Sequence, residues 1–93
     1  MIETFGDSET EKIYSGTRSR KIPGDIQVRT RRKLRMINQA RNLQDLRVPP
    51  ANRLERLKGD LKDYWSIRVN QQWRIIFQWE DGHAKEVSIV DYH

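Results

Sequence analysis

The side chains best suited to proton transfer and phosphate contact lie in the second half of the chain: Glu55, Lys58, Arg68, Arg74, Asp91, Tyr92 and His93. Glutamate, lysine, tyrosine and histidine can each carry a proton, and arginine presents a planar fork of donors that matches a phosphate. His93 closes the sequence, with Asp91 two residues upstream. Its own α-carboxylate and that of Asp91 are expected to favour the imidazolium, the form that serves as a general acid or a phosphate-binding cation. The plainer alternative is a frayed end without function. There is no cysteine and only two histidines, His83 and His93. Disulfide and thiolate chemistry are therefore excluded, and neither a metal site nor any other cofactor is expected.

The partner suggested by charge is a polyanion. Of the +5 formal charge over 93 residues, the first 53 residues carry 12 Lys and Arg against 6 Asp and Glu, whereas the remaining 40 carry 6 against 7. Such asymmetry suits nucleic acid first and an acidic protein second. No run approaches a membrane span, and the N-terminus lacks the order of a signal peptide, so the expected setting is cytoplasmic, with no membrane partner.

Two alternating stretches must position these groups. Trp65, Ile67 and Val69 share one parity, as do Trp73, Ile75, Phe77 and Trp79, while Ser66, Arg68, Arg74 and Gln78 take the other. That is the period of half-buried strands with one face in a core. Asp81-Gly82 is a hairpin turn leading into a last strand over residues 84–92. Upstream, residues 2–5 alternate as a short edge strand. Residues 8–14 form a first helix capped by Asp7 or Ser8, and residues 26–43 a longer one capped by Asp25. Its apolar stripe (Ile26, Leu34, Met36, Ile37, Ala40, Leu43) is the natural cover for the sheet, although Arg29 and Lys33 fall inside that stripe and must reach to its edge. Pro49-Pro50 interrupts the chain before a short strand over residues 54–59. The expected architecture is α+β in one domain spanning 1–93: a short N-terminal strand, and two helices packed on one face of a small, mainly antiparallel sheet.

Taken together, Leu57-Lys58-Gly59-Asp60, the Tyr64 to Val69 stretch, Trp73-Arg74-Ile75 and the terminal Asp91-Tyr92-His93 resemble the HigB toxins of the RelE/ParE toxin–antitoxin superfamily. The resemblance implies a toxin that binds the ribosome and its RNA, enters the A site and cuts the translated mRNA as a metal-independent endoribonuclease. It also implies a HigA-like helix-turn-helix antitoxin as partner. Relatives on the same fold inhibit DNA gyrase without chemistry, so a non-enzymatic toxin is the rival class.

Cleavage without a metal uses the ribose 2′-hydroxyl against its own 3′-phosphate, which requires a base, an acid and fixed positive charge. Arg74 could supply the charge to the scissile phosphate, or form an ordinary salt bridge with Glu86. Lys58 is expected to add charge beside Gly59, a residue that allows close backbone approach. Tyr92 could stack on a base or move a proton. Some HigB proteins carry histidine where this chain has Glu55, so Glu55 either replaces that base or only orients Arg74. Arg53, Arg56 and Arg68 are candidate phosphate contacts, and His83 is read as a loop residue. Tyr92 shares parity with Ser88 and Val90, but Asp91 and His93 with Val87 and Ile89. All three cannot line one face unless a bulge or the strand end re-aims them.

Overall fold

The computed structural model describes residues 1–92. Helix α1 (Ser8–Tyr14) is capped by Asp7, whose carboxylate accepts from the Thr10 amide at 2.7 Å. Helix α2 (Gln27–Gln39) follows a single 3₁₀ turn, Gly24–Ile26. Four strands, β1 (Glu55–Arg56), β2 (Tyr64–Arg68), β3 (Trp73–Glu80) and β4 (His83–Asp91), form one antiparallel sheet in the order β1-β2-β3-β4. The segment at residues 2–5 runs parallel to β4 through isolated bridges at Ile2–Ala84 and Phe5–Val87. It thereby covers the edge of β4 without forming a regular strand.

The alternation holds. Ile67, Ile75, Phe77, Val87 and Ile89 point to one face and meet Leu34, Ile37, Ile13 and Ile26 in a common core. Each fully buried side chain of this size contributes about 1.5–3 kcal/mol relative to exposure. Thr10 ties α1 to the sheet, since its Oγ1 accepts from the Ile89 amide at 3.0 Å. Val28, on the opposite side of α2, is 71% exposed.

Four details differ from the sequence expectation. Helix α2 ends at Gln39 because Asp45 and Asn42 form a reciprocal capping box. The Asp45 carboxylate collects the amides of Arg41 and Asn42, which starts a separate 3₁₀ helix, Leu43–Arg47. Asp25 lies within the 3₁₀ turn and does not cap α2, whose N-cap position is Ile26. The short strand contracts to Glu55–Arg56, because Lys58 and Gly59 turn into a further 3₁₀ helix, Gly59–Leu61. Finally, β4 contains a bulge. Between the pairs Gln78–Lys85 and Ile76–Ser88 it carries one extra residue, and Glu86 takes φ = 52°. Gly6 packs against this bulge so closely that a Cβ there would lie 2.1 Å from Ser88 Oγ.

Candidate active site

The second face of the sheet is built by register. Glu55 pairs with Ser66 across β1 and β2, Ser66 with Ile76 and Arg68 with Arg74 across β2 and β3, and Arg74 with Val90 across β3 and β4. These residues therefore share the face away from the helices. It is less open than a bare floor. Ile76 and Leu57 are buried, and Arg74 is only 9% exposed.

Arg74 is the centre of this face. Its Nη1 donates to Ser66 Oγ and its Nη2 to Glu55 Oε1 at 2.9 Å, and its guanidinium carbon lies 5.2 Å from the centre of the Tyr92 ring. A buried cation needs such partners, because an unpaired charge out of water is costly. The ion pair is asymmetric. The Glu55 side chain keeps 54% of its surface exposed while that of Arg74 keeps 10%, so the carboxylate stands at the mouth and the guanidinium beneath it. The salt bridge considered with Glu86 does not form, and Glu86 instead occupies the bulge.

Beside this cluster is a shallow pocket of about 250 Å³ lined by Glu55, Arg56, Leu57, Lys58, Leu61 and Tyr92. Lys58 is exposed at its rim. Gly59 next to it has φ = 67°, and nothing lies within 4 Å of where its Cβ would be. Its role is thus to supply a left-handed turn, and the expected close backbone approach is absent.

Glu55, Lys58, Arg74 and Tyr92 come together; the other candidates are distributed differently. The β4 bulge decides the sidedness of the chain end. After it, Val87 and Ile89 face the core and Ser88, Val90 and Tyr92 face Arg74. Asp91 pairs with Trp73 on the helix side and accepts from the Gln72 side-chain amide at 3.2 Å, so it does not join Arg74. His93 lies outside the described residues. Arg56 borders that pocket, but it pairs with Trp65 in register, its guanidinium carbon lies 5.9 Å from the centre of the Trp65 ring, and its Nε donates to the Lys62 carbonyl at 3.1 Å, so it does not join Arg74. Arg53 and Arg68 line a different cleft, together with Arg29, Arg32 and Lys33 of α2. His83 begins β4, with Nδ1 buried.

Sequence reasoning did not pick out Ser66 as a partner of Arg74, although the two share parity. Knowing that residue 66 pairs with 76 would have revealed it. Among the described residues, no group of three or more His, Asp or Glu is placed to hold a metal.

The family described as "RelE-like toxin of type II toxin-antitoxin system HigB" matches residues 3–93. The chain belongs to this HigB-like toxin family. Toxin HigB-1 of Vibrio cholerae is 48% identical over 85 residues, covering 90% of each chain. Endoribonuclease HigB of Proteus vulgaris is 31% identical over 93 residues, covering 100% of each. Among solved structures, the YoeB–YefM complex of Staphylococcus aureus contains a chain that matches with a TM-score of 0.62 at 19% identity, covering 100% of this chain and 98% of that one. At that identity the likeness speaks for the shared fold alone. In this HigB-like chain the family match spans all four strands and both helices. The α+β arrangement expected from the sequence is the one observed.

Proposed function

We propose that this toxin is a metal-independent endoribonuclease that cuts translated mRNA in the ribosomal A site and so stops translation. The observation that carries the reading is the convergence of Glu55, Arg74 and Tyr92 on one sheet face, with Lys58 at the same pocket. A relative that spans the whole chain bears the name endoribonuclease, which supports the same class of chemistry.

In this reading the 2′-hydroxyl gives its proton to the Glu55 carboxylate as O2′ bonds to the phosphorus. A 2′,3′-cyclic phosphate forms, and the bond from phosphorus to O5′ breaks. Arg74 and Lys58 hold the negative charge that builds on the phosphoryl oxygens. His93 gives a proton to the departing O5′, the role its sequence position suggests. Tyr92 keeps its ring against Arg74 and offers a face to a base. The nucleophile belongs to the RNA, so the step requires no metal.

The ribosome is proposed as the surface that presents the mRNA, and a HigA-like antitoxin as the neutralising partner. The family to which the chain belongs is described as a toxin of a type II toxin-antitoxin system, which supports an antitoxin partner. Among the described residues no helix is long and apolar enough to cross a membrane, and an A-site nuclease would work in the cytoplasm.

The test is to incubate the protein with a defined mRNA, with and without programmed ribosomes, and to map new 5′ ends. Ribosome-dependent cuts that disappear in folded Arg74→Ala protein are the expected result. Intact mRNA alongside inhibited gyrase supercoiling would overturn the reading in favour of a gyrase poison.

A further inference from the structure

A second feature of the molecule is a basic cleft of about 630 Å³, where α2 meets the stretch at residues 49–53 and the β2–β3 loop. Five cations line it: Arg29, Arg32, Lys33, Arg53 and Arg68. Among the described residues its lining holds no carboxylate, and none of the five forms a salt bridge. The cluster is held in place by neutral acceptors. Arg29 Nη1 donates to the Val69 carbonyl at 3.5 Å, Arg68 Nε to the Asn70 carbonyl at 3.1 Å, and Lys33 Nζ to the buried Asn52 Oδ1. Arg29 and Arg68 each commit one of their five donors to the protein in this way.

Gathering like charges with no internal counter-charge costs stability, and the surplus positive field attracts an anion. The lysine registers that field. Burial lowers the Lys33 pKa from its ordinary value, and the neighbouring Arg29 and Arg32 lower it further.

Position identifies the anion. Arg68 lies directly opposite Arg74 in the β2–β3 register and on the same face, with strands about 4.8 Å apart. Arg68 lines the cleft and neighbours Arg74 across the β2–β3 ladder, so it is the residue that links the two. Planar guanidinium forks fit successive backbone phosphates, whereas an acidic protein segment would have no reason to follow this line to Arg74.

We propose that the cleft of Arg29, Arg32, Lys33, Arg53 and Arg68 is a second phosphate-binding site, which holds RNA backbone adjoining the strand at Arg74. It fixes orientation without reading bases. This deepens the nuclease reading and rests on it for taking the polyanion to be RNA.

The test uses a labelled, 2′-O-methylated single-stranded RNA, which cannot be cut, and follows binding by fluorescence anisotropy over a salt series. Among the described residues Arg32 and Arg53 make no side-chain hydrogen bond, so Arg32→Gln with Arg53→Asn removes charge without removing a contact seen there. Asn is chosen because Arg53 has φ = 46° and asparagine tolerates that region. Arg35→Gln with Arg41→Gln removes the same charge outside the cleft. Single strands lose roughly 0.7 in the slope of log affinity against log salt per phosphate contact. The cleft pair should therefore flatten the slope by about 1.4 and weaken binding at low salt at least tenfold, while the outside pair leaves the slope unchanged.

Equal flattening by both pairs would overturn the site in favour of diffuse charge. Unchanged RNA binding by the cleft pair, with lost binding of a poly-glutamate peptide, would overturn it in favour of protein docking. The two proposals fail separately. A wild-type protein that cuts no ribosome-bound mRNA sinks the nuclease reading, while the oligonucleotide result stands on its own.

Discussion

Glu55 meets Arg74 as an exposed acceptor over a buried donor, at 2.9 Å. That relationship separates two tasks for the glutamate. Glu55→Gln keeps an oxygen for Arg74 to donate to but cannot take a proton at neutral pH. If Glu55 is the base, ribosome-dependent cleavage falls about 10²–10⁴-fold while the thermal midpoint hardly moves. Cleavage retained in Glu55→Gln would leave the glutamate with a positioning role only.

Arg74→Lys keeps the charge and loses the fork. One ammonium cannot reproduce both the Ser66 and Glu55 contacts and still reach a phosphate. Cleavage should fall about 10²–10³-fold, the scale of losing one preorganised donor to a developing oxyanion. Single-turnover rates on programmed ribosomes measure it, and near-normal rates would remove Arg74 from the chemistry.

Tyr92 contributes a ring face over Arg74, and its hydroxyl is a separate matter. Tyr92→Phe preserves the face and should stay within a few-fold of wild type if the ring acts by stacking. Tyr92→Ala forfeits about 0.5–1 kcal/mol of cation–π attraction at an exposed position. A Phe variant as inactive as the Ala variant would point to proton transfer through the hydroxyl.

Asn52 is fully buried, accepts from Lys33 and donates to the Leu46 carbonyl at 3.2 Å. Asn52→Ala strands those groups and should cost about 1–3 kcal/mol, visible as a lower denaturant midpoint. Because the same residue anchors Lys33, the variant should also weaken binding of the methylated RNA.

Glu9 has its pKa lowered, first by the hydrogen bond from Ser19 Oγ at 2.7 Å and next by that from Lys12. A folded pKa below the unfolded one gives stability that is present above about 4.5 and lost as the pH falls through the folded value. Ser19 holds the basic loop at residues 18–21, where Lys21 donates its amide to Ser19 Oγ at 3.1 Å. Protection of the amides in that loop, taken relative to their intrinsic exchange rate at each pH, should fall as the pH drops through the folded value, and Ser19→Ala should show the lower protection already at neutral pH.

The sequence disclosed the element order, the core parity and most of the Arg74 cluster, because alternation and helical spacing are local signals. What it hid depended on register. Nothing local says that Glu55 stands opposite Ser66, or that Arg68 faces Arg74 across two strands. The Glu86 bulge was equally hidden, since a glutamate with positive φ carries no mark in a one-dimensional pattern. Arg29 and Lys33 did leave a trace as cations inside an apolar stripe. The structure resolves that conflict by sending both toward the stripe's edge, to Val69 and Asn52.

The left-handed step at Glu86 also makes the core a guardian of the pocket. A conformer in which the end of β4 slipped by one position would lift Tyr92 from Arg74, but it would also turn Val87 and Ile89 out to water. Exposing two such side chains costs about 1.5–3 kcal/mol each, so slipped conformers are depleted by hydrophobic free energy alone. The fidelity of the site is thus underwritten on the opposite side of the sheet, by residues that never touch a substrate.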